Sequence, residues 1–543
     1  MNATQLLRHF DRLAEAPDAV PRLRRFILDL AVRGKLVEQD AADEPATTLL
    51  KRIASSSEKK AKVTTAASLR EPWPLPSNWA FARFAEILTR EYGDNLPAEK
   101  RSNSGEFPAY GSNGIVGSHD EAFVQSPCIV VGRKGSAGAL NLCLASGCCV
   151  TDVAYYCIPP QGVDLNFAFK MFHTIGLDAL GKGIKPGLSR SEAYELVVPL
   201  PPLAEQHRIV AKVDELMAQC DQLEAAQQER ERRRDRLASA SLQRLNQPAE
   251  ANPATDQAEA AEARQQAQRE QQKDHARFHL QNLNHLVTRP EHIKAMRQTI
   301  LHLAVNGRLL EQILNGEPKR TELRKGAKRT VRVDSPVFTQ AFAPMTVPTN
   351  WEVIELEDLA AEIVDCPHST PVWSESGKMC VRTSQFRPGF LDLTNVRFVS
   401  ETTYTERIQR LVPSENDILY SREGGILGVA CRVPAGVELC LGQRMMLIRA
   451  GAAVAPIFLE LVLNSPLITE IARTRTTGGA APRVNVATVK AYPIPLPPLA
   501  EQHSIVAKVD ELMALCDQLE AQLTQSQTDS RRLLEAVLEA AIA

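Results

Sequence analysis

The sequence is poor in aromatic residues, which fill only 5% of its 543 positions. Single-strand binding grooves stack bases on aromatic rings, so this scarcity argues against such a platform. Excess charge of one sign is also missing. Lys and Arg number 63 against 65 Asp and Glu, a formal net charge of −2. That excludes the bulk basic coat of a non-specific DNA binder and leaves room only for local basic clusters. The eleven cysteines form no C-x-x-C pair, and an odd count closes no disulfide set. Vicinal Cys148 and Cys149 read as small apolar fillers in a reducing compartment. Ligands clustered at zinc-site spacing are missing, so no metal is expected. No run of about 20 apolar residues occurs, and the first residues lack a signal-peptide core. A cytoplasmic protein without a membrane partner is the expectation.

What is present is a duplication. With 44% hydrophobic residues the chain is long enough for several buried cores. The stretch PLPPLAEQHRIVAKVDELMAQCDQLEA over 199–225 returns over 495–521, changed only at Arg208/Ser504 and Gln219/Leu515. Ile27–Leu36 returns as Ile300–Leu309, and Leu75-Pro-Ser-Asn-Trp79 as Val347-Pro-Thr-Asn-Trp351. The long repeat recurs after 296 residues, far beyond a solenoid period. Each half therefore reads helix, linker, Pro-x-Asn-Trp, a variable segment, Pro-Leu-Pro-Pro-Leu and a long helix. A nearly unchanged framework around divergent segments is the pattern of different readers on a common chassis.

After each Pro-Pro the apolar residues fall four, three, four and three apart, an a/d seam. In one copy these are Ile209, Val213, Leu216, Cys220 and Leu223. In the other they are Ile505, Val509, Leu512, Cys516 and Leu519. Two such seams predict helices that pair with each other, against the plainer alternative of packing onto their own domains. The first helix is expected to reach Leu245, about 60 Å of rod for about 40 residues. A second helix is predicted from an N-cap at Thr288, with Pro290 and Glu291 in its first turn, to a C-cap near Gly307; its N-terminal equivalent stops near Gly34. Gln247–Lys273 reads as a mobile connection or solvated helix, and Gly316–Val333 as a basic, solvated linker.

The variable segments read as mixed α/β modules of short strands. In the first, a turn-rich loop around Tyr110, Ser112 and Asn113 precedes a strand that runs into Gly132-Arg-Lys-Gly135. This is not a P-loop, because the G-x-x-x-x-G-K-[ST] spacing is lacking. Arg133 and Lys134 suit a phosphate or a guanine edge, with an ordinary hairpin turn as the alternative. In the second, Ser421-Arg-Glu-Gly424 takes the same place, and Arg422, Gln443 and Arg444 are types that contact purines in bidentate fashion. Lys182, Lys185 and Arg190 form a basic cluster late in the first segment, and Arg483 belongs to its counterpart in the second. Arg382, Ser384 and Ser421 complete the candidate DNA-binding set.

Catalytic signatures are missing: no Asn/Asp-Pro-Pro-Tyr/Phe motif, no Walker motif, no H-E-x-x-H and no nuclease carboxylate–lysine set. His207 and His503 sit in the repeated Glu-Gln-His (Glu205, Gln206; Glu501, Gln502). No nucleophile or acidic partner is repeated with them, so a structural role at the helix start is expected.

The doubled PLPPLAEQHxIVAKVDELM, the DLAVRGKLV segment, Tyr110-Gly-Ser-Asn-Gly114, Gly132-Arg-Lys-Gly135 and Ser421-Arg-Glu-Gly424 together resemble the specificity subunits of type I restriction–modification enzymes. The resemblance covers essentially the whole chain. It implies a mixed α+β fold in which two α/β target recognition domains are separated by long, paired antiparallel helices with pseudo-two-fold symmetry. The boundaries expected are framework helices at 1–50, a linker at 51–78, a recognition domain at 79–198, central helices at 199–313, a linker at 314–346, a second recognition domain at 347–494 and a final helix at 495–543. It further implies a non-catalytic subunit that reads a split site in double-stranded DNA. Two modification (methyltransferase) subunits would sit on the framework, with Glu205, Gln206, His207, Ile209, Val213 and Leu216 and their equivalents Glu501, Gln502, His503, Ile505, Val509 and Leu512 as framework or interface residues. Restriction (ATP-dependent translocase and nuclease) subunits would join them. The chain itself would bind no cofactor; S-adenosylmethionine, ATP and Mg would belong to the other subunits. The alternatives are a DNA methyltransferase or nuclease in its own right, and a coiled-coil adaptor that binds only proteins.

Overall fold

The computed structural model describes the chain outside residues 1–15, 57–70, 181–187, 247–273 and 311–346 and a few shorter breaks. The connection and the basic linker read from the sequence fall outside the described residues. Two compact units emerge, one of Met1–Arg230 with Ser526–Ala543 and one of Glu231–Gln525.

The first unit begins with α1 (Ala19–Val32) and α2 (Ala46–Ser56). Strands β1 (Ala80–Arg83), β2 (Glu91–Tyr92), β3 (Phe107–Gly111), β4 (Gly114–His119), β5 (Cys128–Gly132), β6 (Leu140–Cys143), β7 (Cys149–Val150) and β8 (Ala154–Cys157) follow. Then come α3 (Leu165–Phe172), β9 (Val197–Leu200) and the 44-residue helix α4 (Leu203–Asn246), whose last turns belong to the second unit. A four-stranded sheet has the order β2-β8-β5-β6, and a three-stranded one the order β4-β3-β7. Strand β1 pairs antiparallel with β9, setting Phe81 opposite Pro199. This pairing ties the entry motif of the variable segment to its exit motif, so the module begins and ends at one place.

The second unit repeats the plan. It comprises α5 (Pro290–Val305), β10 (Glu352–Glu355), β11 (Ala360–Asp365), β12 (Trp373–Ser374), β13 (Lys378–Val381), β14 (Arg397–Val399) and α6 (Glu401–Arg407). Strands β15 (Ile418–Ser421), β16 (Ala430–Arg432), β17 (Leu439–Leu441) and β18 (Met445–Ala450) precede α7 (Pro456–Leu463), β19 (Pro493–Leu496) and the 44-residue α8 (Leu499–Ile542). The order β11-β18-β15-β16 matches the four-stranded sheet of the first unit, and β10 pairs with β19 as β1 does with β9. A second four-stranded sheet, β12-β14-β13-β17, replaces the smaller one.

The sequence repeats explain each other in space. Gly34 ends α1 at φ +67°, and a Cβ there would lie 2.4 Å from Cγ of Pro76. Gly307 ends α5 at φ +66°, with Pro348 Cγ at 2.3 Å from the same imagined atom. Only glycine accepts both the left-handed cap and the proline packed on it. The expected N-cap at Thr288 is corrected: Arg289 is the cap residue and Pro290 the first helical position, since Thr288 donates its backbone N–H to His292 Nδ1 at 3.3 Å instead. All eleven cysteines are buried and none forms a disulfide, as fillers should be.

The seam residues Ile209, Val213 and Cys220 lie in the same core as Val20, Ile27, Ala31 and Val32 of α1. Ile505, Val509 and Cys516 share a core with Ile293, Ile300 and Ala304 of α5. The proximal part of each seam thus packs onto its own unit. The physical reason is that the short helix and the module together offer an apolar face on which a fully buried aliphatic side chain contributes about 1.5–3 kcal/mol. Ion pairs flank both seams: Arg24 reaches Asp221 and Glu224 at 2.6 and 2.7 Å, and Arg297 reaches Asp517 and Glu520 at 2.6 and 2.9 Å.

The repeated Glu-Gln accounts for the rest of the joint. Gln206 is fully buried; its Oε1 accepts from the Asp164 backbone N–H at 2.8 Å, and its Nε2 donates to the carbonyls of Pro201 and Gly162 at 3.0 and 3.3 Å. Gln502 does the same with the Ala455 N–H (2.8 Å) and the carbonyls of Pro497 (2.9 Å) and Ala453 (3.1 Å). Asp164 and Ala455 are the cap residues of α3 and α7, so one glutamine fastens the head of the long helix to the start of a module helix. Glu205 accepts the indole N–H of Trp79 at 2.9 Å and the Gln39 amide at 2.6 Å. Glu501 accepts the Trp351 indole N–H at 3.1 Å. His207 and His503 are exposed, and His207 Nε2 lies 3.7 Å from the Asp164 carboxylate. Among the described residues no helix is long and apolar enough to cross a membrane.

Replacing Gln206 or Gln502 by leucine strands three backbone groups, all buried at Gln502, and should cost about 1–3 kcal/mol per site, read from denaturant midpoints. Glu205 sets a pH signature. Burial raises its carboxyl pKa, so the folded chain holds that proton more tightly than the unfolded chain. Its contribution is therefore greatest in acid and declines as pH rises through the folded value. The Tm difference between the parent and Glu205→Gln, which cannot titrate, should shrink in that direction.

Candidate nucleic-acid interface

In the first unit β5 emerges from the core and turns sharply. The backbone N–H groups of Arg133 and Lys134 both donate to the Val153 carbonyl, at 2.9 and 3.1 Å. The Arg133 guanidinium donates to the Asp152 carbonyl at 2.7 Å and lies 5.0 Å from the Tyr92 ring and 5.7 Å from the Tyr155 ring. Such stacking holds the fork of N–H donors in one plane. Lys134 is exposed and 3.4 Å from the Asp152 carboxylate. Gly132 is obligatory, because a Cβ there would meet the Ser136 and Ser112 carbonyl oxygens at 2.1 and 2.3 Å. That close approach brings the β3–β4 turn onto the loop, where the Ser112 hydroxyl reaches the Ser136 carbonyl at 3.4 Å. Asn113 is exposed at the tip, beside exposed Ile115 and Val116. Four candidates, Ser112, Asn113, Arg133 and Lys134, therefore share one patch.

Tyr110 does not join them. It is buried against Cys128, Cys143 and Cys148, and desolvation pushes its phenol pKa far up. The end of β3 is buried on both faces, which corrects the place of Tyr110 among the DNA candidates. Lys182 and Lys185 lie outside the described residues. Arg190 opens the short helix Arg190–Tyr194, and the backbone near it is anchored where Leu188 N–H donates to the Arg133 carbonyl at 2.9 Å.

The same backbone scheme recurs after β15. Arg422 N–H donates to the Arg444 carbonyl at 3.2 Å, and Val484 N–H to the Arg422 carbonyl at 2.9 Å. Arg422 thus stands where Arg133 stands, yet its side chain has another fate. It is buried and grips Asp365 with two bonds of 2.9 and 2.8 Å, with Glu423 at 2.9 Å. Ser421 is fully buried. Both are removed from the DNA candidates, because a bidentate buried pair and a strand position facing the core leave no reach to a base edge.

Arg444 takes the exposed place instead. It is a non-glycine residue at φ +69°, a backbone state that costs energy and must be held by its surroundings. Gln443, beside it, donates to the His368 carbonyl at 2.5 Å. Arg483 is exposed, and its backbone bridges to Glu423. Arg382 lies 6.0 Å from the Trp373 ring, with its backbone N–H on the Gln385 amide oxygen at 2.7 Å, and Ser384 is exposed in the next turn.

One positioning residue escaped the sequence reading. Arg407 on α6 is buried and donates to four carbonyls: Leu441 at 2.5 Å, Gly442 at 2.7 Å, and Pro367 and Ser369 at 3.2 Å each. It ties the two loops that carry His368, Gln443 and Arg444. Nothing local marks it, since its partners are backbone groups 34 to 40 residues distant. Among the described residues no group of three or more His, Cys, Asp or Glu is placed to hold a metal.

Two sheet modules, each mounted on the same helical framework and presenting different polar side chains on equivalent loops, define a two-reader recognition protein. The chain belongs to the type I restriction modification DNA specificity domain family, whose model matches residues 76–231 and 348–526, and its two modules are the target recognition domains of a specificity subunit. It is 25% identical to the specificity subunit of the Escherichia coli type I restriction enzyme EcoEI, over 96% of this chain and 94% of that protein. Identity to the EcoAI specificity subunit is likewise 25%, with the same coverage of 96% and 94%. A solved structure from work on complex assembly and conformational transition of the type I R-M system aligns with 87% of this chain and 99% of its own, at TM-score 0.48 and 17% identity.

The equivalent arginines should separate by stability. Arg422→Ala takes the bidentate guanidinium from half-buried Asp365, which keeps only His368 at 3.2 Å, and should lower the Tm. Arg444→Ala should leave the Tm unchanged or slightly raised. Thermal unfolding of the two variants beside the parent decides.

Proposed function

We propose that this chain reads an asymmetric, bipartite DNA target, one half-site per module, and catalyses nothing itself. The observation that carries the reading is that two modules with equivalent four-stranded sheets carry different exposed or half-buried polar groups around the matching loops. Asn113, Arg133 and Lys134 serve one module; Ser384, Gln443, Arg444 and Arg483 serve the other. Arginine suits a guanine edge and asparagine or glutamine an adenine edge in the major groove. Two modification (methyltransferase) subunits would bind the framework and methylate adenine, and restriction subunits would join that core. S-adenosylmethionine, ATP and Mg would be held by those partners.

Charge supports this division of labour. Residues 77–200 hold ten Lys and Arg against twelve Asp and Glu, and residues 351–495 hold fourteen against sixteen. Neither reader is basic as a whole, so sequence-independent phosphate attraction would fall largely to partner subunits that clamp the duplex. The subunit alone should bind DNA weakly and the assembled complex tightly.

Exchanging residues 79–198 for another module should change one half of the methylated motif and leave the other intact, as mapped by methylation sequencing. A change in both halves would overturn the modular reading. In the assembled complex, Arg133→Ala and Arg444→Ala should each weaken target binding by about 1–3 kcal/mol, measured against non-target duplex. A purified chain that methylated DNA without partners would favour the enzyme alternative.

A further inference from the structure

The framework repeat is nearly identical at the heads of the long helices and diverges at their tails, where the divergence is systematic. Helices α4 and α8 have equal length and align over their whole run, so Asp235, Ala238 and Ser241 occupy the places of Arg531, Leu534 and Val537. The short helices align through Arg24/Arg297, Ile27/Ile300 and Gly34/Gly307, which sets Ala16, Asp18 and Ala19 against Arg289, Glu291 and His292.

In the first unit Ala16 and Ala19 form a buried cluster with Leu534 and Val537 from the tail of α8. Arg531 lies 3.9 Å from Asp18, which also pairs with Arg22 at 3.0 Å. Here the short helix offers small side chains and an acid; the tail offers large ones and a base. In the second unit the sizes are reversed, although Glu291 keeps an acid in the place of Asp18. Arg289 pairs with Asp235 on the tail of α4, and His292 Nε2 reaches the same carboxylate at 2.9 Å. The tail residues Ala238 and Ser241 are small and buried, while His292 on the short helix is large and buried.

We propose that these two tail pairings carry opposite codes of size, with charge secondary, so that the tail of α8 fits the start of α1 and not that of α5, and the tail of α4 fits α5 and not α1. The wrong pairing would set Asp235 beside Asp18, while Arg531 would meet both Arg289 and Glu291, the acid in the place of Asp18. It would also face Ala19 with Ala238 and Ser241, leaving a void, and His292 with Leu534 and Val537, overfilling the space. Size does more of the discrimination than charge. Both ion pairs are about half exposed, with side-chain exposures of 49% and 42% for Arg531–Asp18 and 40% each for Arg289–Asp235. The surface is thus an internal docking site whose occupant is one particular segment of this chain.

The test recodes one pairing in the full-length chain. Arg531→Asp, Leu534→Ala and Val537→Ser together give the tail of α8 the code of α4. Ala16→Arg, Asp18→Glu and Ala19→His give the start of α1 the code of α5. Each triple variant should lower the Tm, and the chain carrying all six substitutions should recover most of the loss, because the second unit shows that this combination packs. The combined chain keeps the test decisive even if a triple variant fails to fold. A six-substitution chain that loses the sum of both effects, or triple variants that lose nothing, would overturn the proposal.

Discussion

A buried glutamine cannot tolerate an unpaired amide, and that constraint holds each half of this protein together. Gln206 and Gln502 satisfy it by binding the backbone at three points each, on the loop before the long helix and at the cap of a module helix. The neighbouring glutamate adds a tryptophan indole from the strand that enters the module. The head of the long helix, the entry of the module and its exit are therefore one joint. Because the joint uses backbone carbonyls and amides, it places no demand on the side chains of the recognition loops. Those loops are free to differ while their mounting stays the same.

The equivalent arginines show how far that freedom extends. Arg133 and Arg422 leave their strands with the same backbone hydrogen bonds, but one, half-buried, stacks on Tyr92 and Tyr155 while the other is buried and closes on Asp365. In the second module the exposed arginine comes from the adjoining strand instead, as Arg444, held in a left-handed backbone state. Arg407 maintains that arrangement from below through four carbonyls. A single sheet thus presents charge from two different strands without altering its topology.

The tails of the long helices follow a complementary logic. At the heads, near-identical residues make near-identical contacts, since each head meets the same kind of module base. At the tails, each helix ends against a different short helix, and size and charge are traded between the partners. Similarity where the contact is generic and divergence where it must be particular is what a duplicated framework requires to assemble in a defined order.

Much of this was readable in the residues alone. The duplication, the two long helices, the glycine caps at Gly34 and Gly307, the inert cysteines and the modular family signature follow from spacing and composition, because those are local properties that a linear text preserves. The partners of side chains were not readable. Tyr110, Ser421 and Arg422 have the chemistry of DNA contacts, yet strands buried on both faces and one distant carboxylate place them in the core. The apolar seams read as partners for one another, yet each proximal seam is buried on its own short helix. Arg407 looked like any surface arginine, since four carbonyls from two remote loops leave no trace in sequence. What the sequence by itself determined was which elements exist and that they exist twice. Tertiary structure alone decided which side of each element meets water, because burial depends on neighbours that are far away along the chain and adjacent only in the folded state.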